Sequence, residues 1–186
     1  MLEIIGVACG IAGIVLTAKG NIFNFPVGIV NVLITAYIVF INGLYADVVQ
    51  QFFYLIVLVI GWLSWNKSHQ QEQQQFYHST INERILYFVA IVILSACLSV
   101  LLYRFNPNAY LLLDAAGTAM AIIAQYMIAR KKIENWYLWL IVNSLYTYLF
   151  FAKELYAYCG LSIIYFFLAI VGLLAWKKNT IQPFIN

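Results

Sequence analysis

The sequence predicts an all-α integral membrane protein of seven transmembrane helices, built as two parallel three-helix bundles joined by a linker helix. Composition, the spacing of apolar segments and an internal repeat together predict it. Of the 186 residues, 65% are hydrophobic, 17% aromatic and only 9% charged. A soluble domain runs about 45–50% apolar and about 25% charged. So few charges cannot cover a water-facing surface, which argues against a soluble globular enzyme, a disordered chain and a disulfide scaffold. A spanning helix needs about 20 apolar residues. The length therefore suits seven to eight spans with short loops, with no room for a separate soluble domain.

Seven apolar segments stand between polar markers. Leu2–Ala18 opens with Glu3, lacks a basic start and runs on into further spans, so it does not read as a signal peptide. Phe25–Ile41 begins with Pro26, which costs little in a first turn. Ala46–Trp65 follows. Asn66 to Glu83 is the one hydrophilic stretch, with the run Gln70-Gln71-Glu72-Gln73-Gln74-Gln75 and both histidines, His69 and His78. It reads as a solvated connector, and the histidines as surface residues. The remaining spans are Ile85–Leu102, Leu111–Ala129, Trp136–Phe151 and Leu155–Trp176, with Pro107 and Pro183 outside them. All are too continuous to be barrel strands, which would alternate polar and apolar. The expected division is 1–67 as the first bundle, 68–104 as the polar loop and linker helix, 105–178 as the second bundle and 179–186 as a short tail. Cys9, Cys97 and Cys159 fall in three different spans without metal spacing and read as buried small hydrophobes.

Lysine and arginine set the orientation. With the N-terminus outside, the inside receives Lys19, Lys67, Arg84, Arg130, Lys131, Lys132, Lys177 and Lys178, and the outside only Arg104 and Lys153. That asymmetry obeys the positive-inside rule for seven spans with a cytoplasmic C-terminus. The formal charge of +3 thus speaks to orientation rather than to nucleic acid.

Shifting the sequence by 111 residues lays Leu44-Tyr45-Ala46 on Leu155-Tyr156-Ala157. The same shift pairs Asn24 with Asn135, Tyr37 with Tyr148, Tyr54 with Tyr165, Gly61 with Gly172 and Trp65 with Trp176. About 16 of some 66 positions match without a gap, which marks a repeat. Each copy holds three spans, an odd number, so a second copy following directly would be inverted. The fourth span restores its direction. Transporters use such parallel repeats, with the solute between the halves near mid-membrane.

Polar residues inside spans usually face the bundle interior. Asn24, Gly28, Asn31 and Thr35 share one face of the second helix. Asp47, Gln51, Tyr54, Gly61 and Trp65 share a face of the third, with Gln50 beside it; the two adjacent glutamines cannot both face a cavity. Asp114, Thr118 and Gln125 share a face of the fifth, and Trp136, Trp139, Asn143 and Tyr146 one of the sixth. Amides hydrogen-bond without charge, and indole and phenol faces stack on flat rings and attract cations. The pattern suits a polar, ring-containing solute. The candidate substrate-binding residues are Asn31, Gln51, Tyr54, Gln125, Trp136, Trp139, Asn143 and Tyr146. Competing structural roles stay open: belt anchoring for Trp136 and interhelical hydrogen bonding for Asn31 and Asn143. Trp65 and Trp176 end their spans just before lysines and read as belt anchors. Gly61 and Gly172 read as close-packing positions. Asp47, Asp114 and Glu154 lie near outer span ends, where solvated or gate roles are expected. No span holds a histidine or a zinc motif, and no pair of carboxylates lies at mid-membrane, so no enzyme, metal, cofactor or ion-coupled pump is expected. A passive carrier or a structural or assembly protein remains.

Two stretches carry a family resemblance. Gly28, Asn31, Leu44-Tyr45-Ala46, Gln51 and Gly61-Trp62 in the first half, and Arg130-Lys131, Glu134-Asn135-Trp136, Trp139 and Asn143 in the second, resemble the Pnu family of bacterial vitamin transporters. The resemblance implies a SWEET-like fold, usually in homotrimers embedded in inner-membrane lipid. It implies facilitated diffusion of a vitamin precursor that a cytoplasmic kinase then traps by phosphorylation. Members carry nicotinamide riboside, thiamine or riboflavin. An uncharged Asn143 leans to the riboside, and Gln125, where some riboside-type members are apolar, keeps thiamine as the alternative.

Overall fold

Backbone polar groups have no water partners in lipid, so an apolar chain satisfies them within helices. The computed structural model describes residues 2–41, 45–68, 75–105 and 110–181. Its helices are α1 (Leu2–Ala18), α2 (Asn24–Ile41), α3 (Tyr45–Ser68), α4 (Ile81–Phe105), α5 (Leu111–Ala129), α6 (Asn135–Ala152) and α7 (Tyr156–Lys178). They coincide with the seven apolar segments, with α4 starting four residues before its expected span. By length and composition α2, α4, α5 and α7 are each apolar enough to cross a membrane, and α1 is apolar but shorter.

Successive contacts run from α1 through α2, α3, α5, α6 and α7 and back to α1, closing a ring of six helices. The fourth helix packs on the outside of α5, and none of its hydrophobic window is buried within the protein. Cys97 on this helix is exposed, and Cys9 and Cys159 are half-buried free thiols. The expectation of three fully buried cysteines is therefore corrected.

The repeat is visible in hydrogen bonds. After α1, the N–H groups of Lys19, Gly20 and Asn21 donate to the carbonyls of Val15, Thr17 and Leu16. After α5, those of Arg130, Lys131 and Lys132 donate to Tyr126, Ile128 and Met127, the same positions 111 residues on. Both are Schellman-type ends, which need a left-handed residue. Gly20 supplies it at φ 66° without a side-chain penalty, and Lys131 adopts it at φ 55°. Asn24 and Asn135 then open the next helices with identical side-chain bonds, each Nδ2 donating over 2.6 Å to the carbonyl three residues back.

Aromatic rings fill the ring of helices at this basic end. Phe25 meets Trp65 edge-on at 5.1 Å, and Trp136 meets Trp176 edge-on at 5.4 Å. Each pair needs a glycine. A Cβ on Gly61 would stand 2.4 Å from Phe25, and one on Gly172 2.3 Å from Trp136. The close-packing role expected of both glycines holds. Belt anchoring for Trp65 and Trp176 does not: both are fully buried, and Trp176 Nε1 donates to the Thr17 carbonyl over 2.9 Å. Lysines after a tryptophan mark the end of the span, but here the rings turn inward to cap the core.

The hydrophilic connector is also more than a solvated loop. Phe76–Tyr77 forms β1 and pairs in parallel with Thr180–Ile181, β2. Phe76 is buried and stacks on Trp176 at 3.9 Å. Ser79 is buried as well, its N–H and Oγ held by the Glu134 carboxylate at 2.9–3.0 Å. The same carboxylate takes His78 Nδ1 at 3.2 Å and the Arg84 guanidinium at 3.0 Å. His78 is thus a half-buried partner rather than a plain surface residue. His69 and the glutamine run up to Gln74 lie outside the described residues. A polar composition hides one buried phenylalanine, which is enough to pin the segment. Lys132 closes the turn on Glu83 at 2.7 Å.

Two expectations test this architecture. Gly172→Ala overpacks Trp136 and costs about 1–3 kcal/mol, seen as a lower Tm in detergent. Gly61→Ala does the same, whereas Gly160→Ala, with nothing within 4 Å of the added carbon, does not lower it. Burial pushes the Glu134 carboxyl up, but hydrogen bonds from its own backbone, Ser79 and His78 outweigh that and hold it below its ordinary value. A depressed carboxyl stabilises the fold above its unfolded pKa and loses that contribution as pH falls through the folded value. Thermal stability therefore declines from about pH 4.3 downwards, and Glu134→Gln removes this part of the decline.

Candidate functional site

The six helices of the ring enclose a cavity of about 210 Å³. From α1 come Cys9, Gly10, Gly13, Ile14 and Thr17; from α2, Asn24, Gly28, Asn31 and Val32; from α3, Tyr54 and Leu58. The second half supplies Gln125 and Ile128 from α5, Trp136, Trp139 and Asn143 from α6, and Tyr165 and Ala169 from α7. Among the described residues α4 contributes nothing to the lining.

The lining follows the repeat. Gln125 corresponds to Ile14, Ile128 to Thr17, Trp139 to Gly28, Asn143 to Val32, Tyr165 to Tyr54 and Ala169 to Leu58. Every second-half lining residue except Trp136 thus has a lining counterpart in the first half. The duplicated positions differ in chemistry. Where α6 presents an indole and an amide, α2 presents a glycine and a valine, so one half furnishes a wall and the other leaves room before it.

The polar groups converge in a defined way. Asn31 Nδ2 donates to the Gly6 carbonyl over 2.6 Å, and Asn143 Nδ2 donates to the Trp139 carbonyl over 2.7 Å. Each amide thereby spends an N–H on backbone and keeps its oxygen as an acceptor. The benzo edge of Trp136 sits over Gly172. Its buried Nε1 has no hydrogen-bond partner among the described residues, and a buried donor without a partner is costly unless a ligand completes it. Among the described residues no Asp, Glu, Lys, Arg or His lines the cavity.

Of the residues proposed from the sequence, Asn31, Tyr54, Gln125, Trp136, Trp139 and Asn143 come together here. Trp136 is buried against Trp176 rather than anchored in a belt. Gln51 and Tyr146 fall outside the lining. Its neighbour Gln50 reaches Tyr54 Oη at 3.2 Å instead. The Tyr146 ring packs against Gly117 and stacks on Phe150, with its hydroxyl 3.4 Å from Thr118 Oγ1. Asp114 pairs with Lys153 at 2.9 Å at the far end, Glu154 is exposed there, and the Asp47 side chain lies outside the described residues. Sequence reasoning missed Gly10, Thr17 and Tyr165. Tyr165 was within reach, because it is the repeat partner of Tyr54. Gly10 was not, because a glycine lines a cavity by backbone alone, and Thr17 was not, because a single threonine marks no face of α1.

A profile of the nicotinamide mononucleotide transporter family matches residues 1–178. The chain belongs to that family. It is thus a membrane transporter and not an enzyme. Among relatives, the nicotinamide riboside transporter PnuC of Escherichia coli is 26% identical over 204 residues, covering 96% of this chain and 85% of its own length. The nicotinamide riboside transporter PnuC of Neisseria mucosa is 25% identical over 151 residues, covering 77% and 57%. The crystal structure of the vitamin B3 transporter PnuC matches with a TM-score of 0.77 at 22% identity, covering 95% of this chain and 80% of that one. At that identity the likeness is one of fold.

Proposed function

We propose that the chain takes up nicotinamide riboside across a bacterial inner membrane by facilitated diffusion, with intracellular phosphorylation trapping the product. The uncharged, aromatic-and-amide lining carries this reading. A pyridinium is flat and cationic, and indole and phenol faces attract such rings without a counter-ion. Trp136 and Trp139 supply the stacking surface, and Tyr54 and Tyr165 flank it. The free oxygens of Asn31 and Asn143 accept from ribose hydroxyls, and Trp136 Nε1 and Gln125 complete the carboxamide. A phosphate would need cationic partners, and the described lining has none, which favours the riboside over its mononucleotide. Among the described residues the lining also has no carboxylate, the usual carrier of proton or sodium coupling. The names of the relatives point the same way.

All seven helices span, α6 included, because its Asn143, Ser144 and Thr147 satisfy their polar groups within the helix. They form a 3+1+3, SWEET-like arrangement of 1–67, the linker region 68–104 and 105–178, with a tail at 179–186. The basic end is cytoplasmic and the N-terminus outside. The exposed apolar α4 suits contact with lipid or with neighbouring copies in a homotrimer. Thiamine, also a flat cation, is the second reading, favoured by the extra amide of Gln125 in the lining. Membership of a transporter family leaves the structural or assembly role unsupported.

Calorimetric titration with nicotinamide riboside, thiamine and riboflavin tests the substrate; tightest binding of thiamine or riboflavin would replace the riboside. Trp139→Ala and Asn143→Ala each weaken binding roughly 30-fold, the effect of losing about 2 kcal/mol, while the protein still folds. Uptake into proteoliposomes proceeds with no proton or sodium gradient, and strict dependence on either would refute the passive mechanism.

A further inference from the structure

At the basic end the cavity is shut by the inward-turned rings of Trp65, Trp136 and Trp176 and, beneath them, by a strap. Phe76 lies flat on Trp176, with an interplanar angle of 13°. Trp176 meets Trp136 edge-on, and Trp136 lines the cavity. One unbroken chain of rings therefore leads from the cavity wall to the strap. The strap is fastened in two ways. Its backbone pairs on both sides of Tyr77, whose N–H donates to the Lys131 carbonyl over 3.0 Å and whose carbonyl accepts from Ile133 N–H over 3.1 Å. Its side chains converge on Glu134, which holds Ser79, His78 and Arg84. Glu134 stands two residues before Trp136, so the fastening and the cavity wall share one turn of chain.

The geometry points to this strap as the release gate: Phe76 is its plug and Glu134 its latch, both acting as positioning residues for transport. The assignment rests on the transport reading above, which makes the basic end the cytoplasmic mouth. A solute leaving by this end must cross the layer in which Phe76 sits. The helices there are locked by the two glycine seats and the Trp176–Thr17 bond, whereas the strap is held from outside the helix packing, by main-chain bonds to Lys131, Ile133 and β2, by the stacked Phe76 ring and by the carboxylates of Glu134 and Glu83. It is the part that can lift without undoing the ring. Gates of this kind commonly set transport rates rather than affinity.

A reversible cross-link tests it. Tyr77 and Lys132 are bridge partners, and paired strands lie about 4.8 Å apart, within the roughly 4.4–6.8 Å that a disulfide spans. The full chain carrying Tyr77→Cys and Lys132→Cys is reconstituted in vesicles, with each single variant treated alike to account for the native thiols. Oxidation of the pair lowers nicotinamide riboside uptake at least about tenfold, leaves calorimetric affinity in detergent within about twofold, and is undone by reductant. Because diffusion is bidirectional, locking one mouth stops both insertion orientations. Phe76→Ala gives a second reading: faster counter-flow exchange of the riboside, returned toward wild type by Phe76→Leu. Uptake that continues unchanged after complete cross-linking, or exchange unchanged by Phe76→Ala, overturns the gate and leaves the transport reading standing. Absence of riboside binding by the parent protein overturns the transport reading and the gate with it.

Discussion

Two broad rings must lie where two helices meet, and at both meetings the opposing helix carries a glycine. Phe25 over Gly61 and Trp136 over Gly172 set how closely α2 approaches α3 and how closely α6 approaches α7. From those approaches follow the position of Trp65 and Trp176, the closure of the ring and the wall of the cavity. In lipid, apolar burial gives helices little reason to associate, so close packing of shape against shape carries the assembly. A layer of interlocked rings and glycines is such packing, and it accounts for much of the fully buried volume.

On this common frame the two halves diverge. Their turns agree bond for bond between 15–25 and 126–136, and their cavity positions coincide. Only the side chains differ: an indole against a glycine, an amide against a valine. A duplicated scaffold thus encloses one asymmetric cavity. Both halves supply its frame, and α6 supplies the two indoles and one of the amides of its lining. Because Trp136 belongs both to the packed layer and to the lining, whatever touches its free edge in the cavity touches the layer that shuts the basic end. The strap and Glu134 stand on the other side of that layer. The cavity wall and the strap are thereby neighbours in one stack of rings.

Much of this was legible beforehand, for physical reasons. The helices were readable because lipid demands long apolar runs, and the repeat because its spacing survives in Leu44-Tyr45-Ala46 and Gly61 with their partners. Asn31, Trp139 and Asn143 were readable because a polar group within a span needs an interior partner. Gln51 and Tyr146 were misplaced because helical periodicity defines a face about a third of a turn wide, and a cavity occupies only part of it. Trp65 and Trp176 looked like belt residues because a tryptophan before lysines has two homes, one facing lipid and one facing inward, and sequence does not separate them.

By itself the sequence determined the solvent, the number and order of helices, the duplication and the amide-and-aromatic character of the cavity lining, since each depends on composition or spacing along the chain. Only the tertiary structure decided which residues share the cavity, that α1 opens it with glycines, that Trp65 and Trp176 turn inward, and that Phe76 leaves a polar connector to stack on Trp176 at the basic end. Those are contacts between positions far apart in sequence, fixed by the fit of rings into glycine gaps, and no local pattern encodes them.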